Sequence, residues 1–451
     1  MTTEKIKLHQ GQINCLRDFI KSFEFKNESL TSNDYLSFQN LEESLLKNKV
    51  LQEHFDKHEL GFFIQRIADD FVSEKTDNLD EKKKLYQSDD WLNLCLERVV
   101  NLIQSTPLEY TGSISFPACR TRFPVNISLN SRLSIDTPHN ISYPNSSLVT
   151  ALLKISEHSI WQTDLLNEKT YLNLKVHGYC DGSINCTASI EFLSLLKQFL
   201  ALAMIQNLLV ADKWKLSLQN WQEIEKSDKK VTPHWVMKTT NSDQQKPWHM
   251  EVPPELAAFI NVINFNSNDL SILSDCKNTK SASITVLGSL VQREPENALE
   301  FNEALLNKFK IISTFFSTET SFDKERISAA LEWYLEAKSS NNQSVSLIYF
   351  CIGLEAILSD GTKSRELGLK EKLGDRVAYM IGNTQEERKK WKDKFEKIYE
   401  ARSNLVHAKQ PRLSKHDQEL LRSAEVILEY LIERELNGLL KSLQKKKPSN
   451  H

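Results

Sequence analysis

VSLIYFCIGLEAILS, residues 345 to 359, is the stretch on which the fold turns. Val345, Leu347, Ile348, Phe350, Cys351, Leu354, Ala356 and Ile357 leave no polar side to a helix. A helix with no face for water must lie at the centre of a bundle. Its one carboxylate, Glu355, is expected to be buried there, which is costly unless it is paired or hydrogen-bonded.

Amphipathic segments surround this helix on both sides. DKERISAALEWYLEAK precedes it across the polar SSNNQS, and Asp360-Gly361 closes it with glycine as the residue after the cap. A shorter segment, LKEKLGDRVAYMIG, ends at Gly382. Thr384-x-x-Glu387 forms a capping box that opens a fourth helix, and Ser414-x-x-Asp417 offers a weaker start for a fifth through LLRSAEVILEYLIERELNGLL. Short connections between helices of this length imply antiparallel neighbours. Residues 301–451 therefore read as an antiparallel helical bundle.

The rest of the chain reads as two further regions, mainly α with a β-rich insert. Residues 1–105 are helical by periodicity, as in LEESLLKNKVLQEHF and WLNLCLERVVNLI. Residues 106–300 are β-rich and then mixed α/β, with strands expected at SISF, VNISL, RLSID and SITVL and a helix start at Pro253-Pro254. YLNLKVHGYCDGSINCTASI reads as a hairpin in which Leu172, Leu174 and Val176 alternate before the Asp181-Gly182 turn. Ile184, Cys186, Ala188 and Ile190 alternate after it. His177, Cys180 and Cys186 have a metal-like spacing, but period-two counting puts His177 on the face opposite Cys180. Core cysteines beside a surface histidine are the better reading, and neither metal nor cofactor is expected.

Composition excludes several classes. The 451 residues are enough for about two to four domains with proper cores. Seven scattered cysteines without a Cys-x-x-Cys pair fit a reducing compartment, and MTTEKIKLHQ is charged where a secretory leader is apolar, so a cytoplasmic location is expected. Phe192 to Val210 is interrupted by Lys197, Gln198, Gln206 and Asn207, which suits a buried helix and not a membrane span. The formal charge of −3 makes the whole chain no obvious nucleic-acid binder. Residues 361–415 nevertheless carry 15 Arg and Lys against 8 Asp and Glu. A local basic surface of that kind attracts polyanions.

Within that basic segment, Trp391, Phe395, Ile398, Arg402 and Leu405 follow one another at spacings of 4, 3, 4 and 3. Arg402 thus continues an inward stripe, where a guanidinium needs an anion to meet it. His407 lies five residues on, about 140° round an ideal helix. Either the helix breaks before His407, or the two residues serve a site built from two facing copies. Spacing alone is weak, since a chain of this composition matches it about once by chance and Arg132 with His139 matches it too.

The surrounding residues add more. Tyr399-Glu400-Ala401-Arg402-Ser403-Asn404-Leu405-Val406-His407 resembles the end of the catalytic motif of HEPN ribonucleases, in particular the Apea-like HEPN family. SLIYFCIGLEAILSDG is similar to that family's apolar helix and ISAALEWYLEAKSS to the helix before it, so the likeness covers about residues 320 to 440. Ala408 stands where a glycine often follows the histidine.

The resemblance implies an HEPN-like bundle over 301–451, assembled as a homodimer, and a metal-independent endoribonuclease with Arg402 and His407 as catalytic residues. Histidine suits proton transfer near neutrality, and arginine grips phosphate oxygens with a fixed fork of donors. Ser403, Asn404, Glu355 and Tyr399 are the supporting candidates. Ser403 and Asn404 would bond phosphate or orient the histidine, or serve only as helix-end polar residues. Tyr399 would be a core residue or a stacking platform. The family implies a bacterial anti-phage or abortive-infection effector acting on RNA, tRNA being one such target. The region before residue 300 would then sense a trigger such as a phage component, with no membrane involved. Two alternatives stand beside it: a non-catalytic RNA-binding or dimerisation module, and a toxin half controlled by a separate partner.

Overall fold

The computed structural model describes residues 6–26, 29–32, 34–55, 59–73, 78–86, 88–116, 127–130, 132–136, 170–180, 183–211, 234–239, 248–265, 284–285, 296–359, 369–415 and 417–446. The expected helix closure at Asp360-Gly361 and the chance match at His139 lie outside these residues. The protein is mainly helical with a small sheet, the described residues forming fourteen helices and eleven strands. Two compact units divide the chain. One comprises Met1–Thr111, Val176–Phe192 and Met237–Met250; the other comprises Gly112–Lys175, Leu193–Val236 and Glu251–His451.

The first unit contains α1 (Gln10–Lys21), β1 (Phe23–Lys26), β2 (Ser29–Ser32), α2 (Tyr35–Leu45), α3 (Lys49–His54), α4 (Glu59–Ser73), α5 (Leu79–Tyr86) and α6 (Asp89–Gln104). The expectation of helices alone is corrected by β1 and β2, which pair antiparallel. Phe23 and Phe25 alternate with Glu24 and Lys26, a strand period too short to register beside long helical runs. The hairpin is held from α4: Leu30 N–H donates to Asp69 at 3.1 Å, and Gln65 Nε2 donates to the Leu30 carbonyl at 2.6 Å.

The middle of the sequence supplies β3 (Leu108–Phe116), β4 (Ile127–Asn130), β5 (Leu133–Asp136), β6 (Thr170–Gly178), α7 (Thr187–Ile205), β7 (Leu209–Ala211), β8 (His234–Thr239), β9 (Trp248–Glu251), α8 (Pro254–Ile260), β10 (Ile263–Phe265) and β11 (Ile284–Thr285). Seven strands form a sheet in the order β11-β4-β5-β6-β3-β8-β9, and β7 pairs with β10 separately. The β4/β5 and β5/β6 pairs are antiparallel, whereas β11 runs parallel to β4.

One expected hairpin does not form. Leu172, Leu174 and Val176 are buried along β6 as alternation requires, but the second arm is the start of α7. Thr187 Oγ1 accepts from Tyr179 N–H at 3.0 Å, and Ala188 N–H bonds the Tyr179 carbonyl at 3.0 Å, which turns the chain into the helix. A nineteen-residue apolar helix outweighs a brief alternation, and Ile184 and Ile190 are left exposed. Cys180 and Cys186 are buried and His177 is exposed, and among the described residues no His, Cys, Asp and Glu cluster could hold a metal ion.

Helix α7 is the one described helix long and apolar enough to cross a membrane. Its C-terminal portion packs within the second unit. There Ser194 Oγ and Gln198 Nε2 donate to Glu332 at 2.6 and 2.8 Å, and Lys197 pairs with Glu336.

Glu332 and Glu336 belong to the C-terminal bundle. This is α9 (Glu296–Ser317), α10 (Phe322–Ser339), α11 (Gln343–Leu358), α12 (Leu369–Ile381), α13 (Gln385–Val406) and α14 (Gln418–Lys446). The five expected helices are thus preceded by a sixth. Helix α11 packs against α10, α12, α13 and α14, and Leu347, Phe350, Cys351, Leu354 and Ile357 are buried on it. Three polar pairs set α10 antiparallel to α14: Arg326 with Glu435 at 2.6 Å, Tyr334 with Glu429 at 2.5 Å, and Lys338 with Glu425. Rising numbers on one helix meet falling numbers on the other. At the far end of α11, Arg326 donates to the Ile357 carbonyl and Arg376 to that of Leu358, satisfying carbonyls that have no partner inside the helix.

Helix starts follow local chemistry. Asn342 Oδ1 accepts from Ser344 N–H at 2.9 Å to open α11. Thr384 and Glu387 make the expected reciprocal box on α13, with Glu387 N–H to Thr384 Oγ1 at 3.2 Å and Thr384 N–H to Glu387 Oε2 at 3.2 Å. Between α12 and α13 a Cβ on Gly382 would sit 2.7 Å from the Arg388 backbone nitrogen. Glycine is needed there because the first turn of α13 comes so close. Gly382→Ala is therefore expected to destabilise the protein by about 1–3 kcal/mol, read as a lower denaturation midpoint with an unchanged slope in a urea titration.

Candidate functional site

Helices α11 and α13 build the site between them. Phe395 and Ile398 of α13 are fully buried, so the stripe of which Arg402 is part faces inward, as its spacing requires. From α11, Glu355 meets it. Tyr399 Oη donates to Glu355 Oε1, and Arg402 Nη2 lies 3.6 Å from the same oxygen. The guanidinium also stands 5.9 Å from the Tyr399 ring centroid, within reach of a cation–π attraction. A tyrosine hydroxyl and an arginine thus converge on one carboxylate. Glu355 is not sealed in: its side chain is 32% exposed and that of Arg402 28%, so the cluster opens to solvent at one edge of the helix pair.

The guanidinium is only partly satisfied. Arg402 Nε is buried with no hydrogen-bond partner among the described residues, and the Glu355 contact is longer than a hydrogen bond. An arginine so placed retains donors for a second anion. Burial, followed by the hydrogen bond from the Tyr399 hydroxyl to the Glu355 carboxylate, raises the Tyr399 phenol well above its ordinary range. Tyr399 therefore stays a donor, and the ring belongs to the core instead of forming an open stacking platform. Cys351 lies one turn before Glu355, and burial raises its thiol to about 12, while Arg402 works in the opposite direction. Sequence reading did not place Cys351 at this site. Its four-residue offset from Glu355 was the available signal.

His407 is positioned differently. Helix α13 ends at Val406, immediately ahead of it, and His407 is the C-terminal cap, with its N–H bonded to the Ser403 carbonyl at 3.0 Å. Ala408 then takes a left-handed conformation at φ 54°. Ala408 N–H bonds the Leu405 carbonyl at 3.3 Å and Lys409 N–H that of Asn404 at 2.9 Å, the two crossed bonds of a Schellman motif. The imidazole is exposed and makes no hydrogen bond or ion pair among the described residues. Ser403 and Asn404 are half-buried in the last turn, where their carbonyls serve the cap.

The segment after the cap is anchored at both ends. Leu413 N–H donates to Ser344 Oγ at the start of α11 at 2.8 Å. Gln410 Nε2 donates to Asp417 Oδ2 at 3.2 Å, and Ser414 Oγ to the same oxygen at 2.6 Å. His407 is therefore carried on a defined turn.

The fold brings Glu355, Tyr399 and Arg402 together and sets His407 at the exposed end of the same helix, with Ser403 and Asn404 between. Chemically, the cluster offers a partly satisfied guanidinium that can meet an anion. Comparison with protein-family models, with curated proteins and with solved structures finds no match to the chain.

Two outcomes follow from this geometry. Ala408→Gly removes the penalty of a side chain at positive φ and should stabilise the protein by about 0.5–1 kcal/mol in chemical denaturation. The raised Cys351 thiol gives an alkaline signature. Folded protein keeps that proton while unfolded chain loses it, so stability from this group is present below pH 9.0 and is lost as pH rises to about 12. Thermal melts across that window should fall more steeply for wild type than for Cys351→Ala.

Proposed function

We propose that the C-terminal helices form an HEPN-like bundle and that the protein is a metal-independent endoribonuclease with Arg402 and His407 as its catalytic residues. The observation that carries this reading is the Arg402 guanidinium, whose side chain is 28% exposed and whose Nη2 stands 3.6 Å from Glu355, beyond a hydrogen bond. A phosphodiester oxygen reaching its Nη groups from solvent supplies the acceptor they lack. His407 takes the proton from a 2′-OH, the 2′ oxygen bonds to phosphorus, and the bond to the 5′ oxygen breaks. Arg402 balances charge on the phosphoryl oxygens. The products are a 2′,3′-cyclic phosphate and a 5′-hydroxyl, the latter receiving its proton from an imidazolium.

His407 caps α13 five residues beyond Arg402, about 140° round the helix axis. That separation favours a homodimer in which a second copy brings its histidine to the arginine. The likeness of Tyr399 to His407 to the Apea-like HEPN motif supports a place in bacterial anti-phage defence or abortive infection. On this reading the target is RNA, tRNA included, and the chain before residue 300 senses the trigger, such as a phage component, in a cytoplasmic setting.

One observation favours a second reading. The contact of Arg402 with Glu355, reinforced by Tyr399, also suits a structural ion pair in a non-catalytic RNA-binding or dimerisation module.

The experiment expresses wild type, Arg402→Ala and His407→Ala at matched soluble levels in bacteria, with and without phage infection, and maps RNA ends. On the ribonuclease reading wild type alone yields fragments ending in cyclic phosphate, and the melting temperature of Arg402→Ala stays within a few degrees of wild type. If no condition separates the three and Arg402→Ala melts well below wild type, the structural ion pair is the role of that arginine.

A further inference from the structure

Helix α14 is the longest described helix, and the polar residues on its inner side already have partners. Glu425, Glu429 and Glu435 meet Lys338, Tyr334 and Arg326 of α10, and Ser423 Oγ donates to the Glu419 carbonyl at 2.8 Å. Arg434 donates to the Met380 carbonyl of α12. What is left is one outward face. Glu419, Arg422, Val426, Tyr430, Glu433 and Asn437 fall within about 40° either side of Val426 on a helical wheel, and all six are exposed. An outward face is ordinarily polar. The middle of this one is Val426, 48% exposed, and Tyr430, 44% exposed. Arg422 and Glu433, to either side of these two, make no ion pair among the described residues.

The order along the face is cation, apolar, apolar, anion. Turned end for end, that order is its own complement, which is what a two-fold contact between identical surfaces demands. The register follows by counting. Two antiparallel copies that lay Val426 on the second copy's Tyr430 pivot at the level of Leu428. Laying Arg422 on the second copy's Glu433 moves the pivot by only about 0.75 Å along the axis. Glu419 and Asn437 share the level of Leu428 as well, so a carboxylate meets an amide donor. A parallel arrangement fails, because it sets arginine against arginine and glutamate against glutamate. Arg434, which comes level with the second copy's Arg422, is turned about 80° away from Val426 and is held at Met380.

We propose that the outward face of α14 is a homodimer interface, in which two copies pack antiparallel about Leu428. Val426 and Tyr430 form its centre, and an ion pair of Arg422 with Glu433 closes each end. Burial of the apolar side chains supplies the attraction, and the two ion pairs set direction and register. One helix face is at the low end of specific interfaces, so the dimer is reversible and concentration-dependent. The ribonuclease reading needs a second copy; the inference rests on that reading for its use and deepens it by stating where that copy sits. None of the four residues touches Glu355, Tyr399 or Arg402, so substituting them leaves the contacts of that cluster in place.

The test follows the oligomeric state of the full chain by sedimentation velocity over a range of concentrations. Wild type is compared with Arg422→Glu, with Glu433→Arg and with the double variant carrying both. Wild type should pass from monomer to dimer as concentration rises. Each single change sets like charges against each other at both ends of the interface and should weaken the dimer about 10- to 100-fold. The double variant reverses the order of charges without spoiling the complement, and should return to within about threefold of wild type. Recovery there also shows that neither single change acted by unfolding the chain. The proposal is overturned if wild type stays monomeric at every concentration, if the single variants dimerise as wild type does, or if the double variant fails to recover. The two readings fail separately. A dimer that obeys the charge swap but leaves RNA uncut keeps the interface and removes the ribonuclease. RNA cut to cyclic-phosphate ends by a protein whose association ignores the swap keeps the ribonuclease and removes the interface.

Discussion

A carboxylate on an otherwise apolar helix is the constraint from which the C-terminal architecture follows. Glu355 sits on α11, whose other faces are taken up by α10, α12, α13 and α14. Half-buried among them, it loses part of its hydration and needs polar partners to replace it. The Tyr399 hydroxyl and the Arg402 guanidinium meet that need together, so α13 must lie where these two residues reach one oxygen. The same requirement keeps Arg402 at the edge of the groove, short of full burial and with donors to spare.

The remaining polar contacts act as a register for the helices that surround α11. Arg326, Tyr334 and Lys338 on α10 each find a glutamate on α14, in antiparallel order. Sliding either helix by one turn would unpair all three partly buried groups at once. Apolar packing supplies most of the cohesion and tolerates several offsets, whereas these pairs select one. The anchored turn after α13 extends this to the histidine: Leu413 to Ser344 and Gln410 to Asp417 tie the segment following His407 to its neighbours.

Local and long-range information disagree at one place in the middle of the chain. Ile184 to Ile190 alternates as a strand would, yet Thr187 begins a nineteen-residue helix. Cooperativity explains the outcome, since a helix once nucleated gains a hydrogen bond for each residue added, and the apolar run beyond Ile190 extends only as a helix. The short β1/β2 hairpin shows the reverse case. Its four-residue strands are secured by Gln65 and Asp69 of α4, partners more than thirty residues away that no local window contains.

The sequence by itself determined that α11 is central, because no placement at the surface suits a helix without a polar face. It also determined where α13 begins, through Thr384 and Glu387, and that Arg402 faces inward, since period and capping are local properties. Tertiary structure alone decided which atoms meet: that Glu355 is clasped by Tyr399 and Arg402, that Cys351 adjoins them, and that His407 stands exposed on a helix cap instead of beside the arginine. A helical wheel gives an angle but no neighbour. The left-handed turn at Ala408 needs a backbone conformation that nothing in an alanine announces. It was reached because the crossed bonds to Leu405 and Asn404 close the helix there.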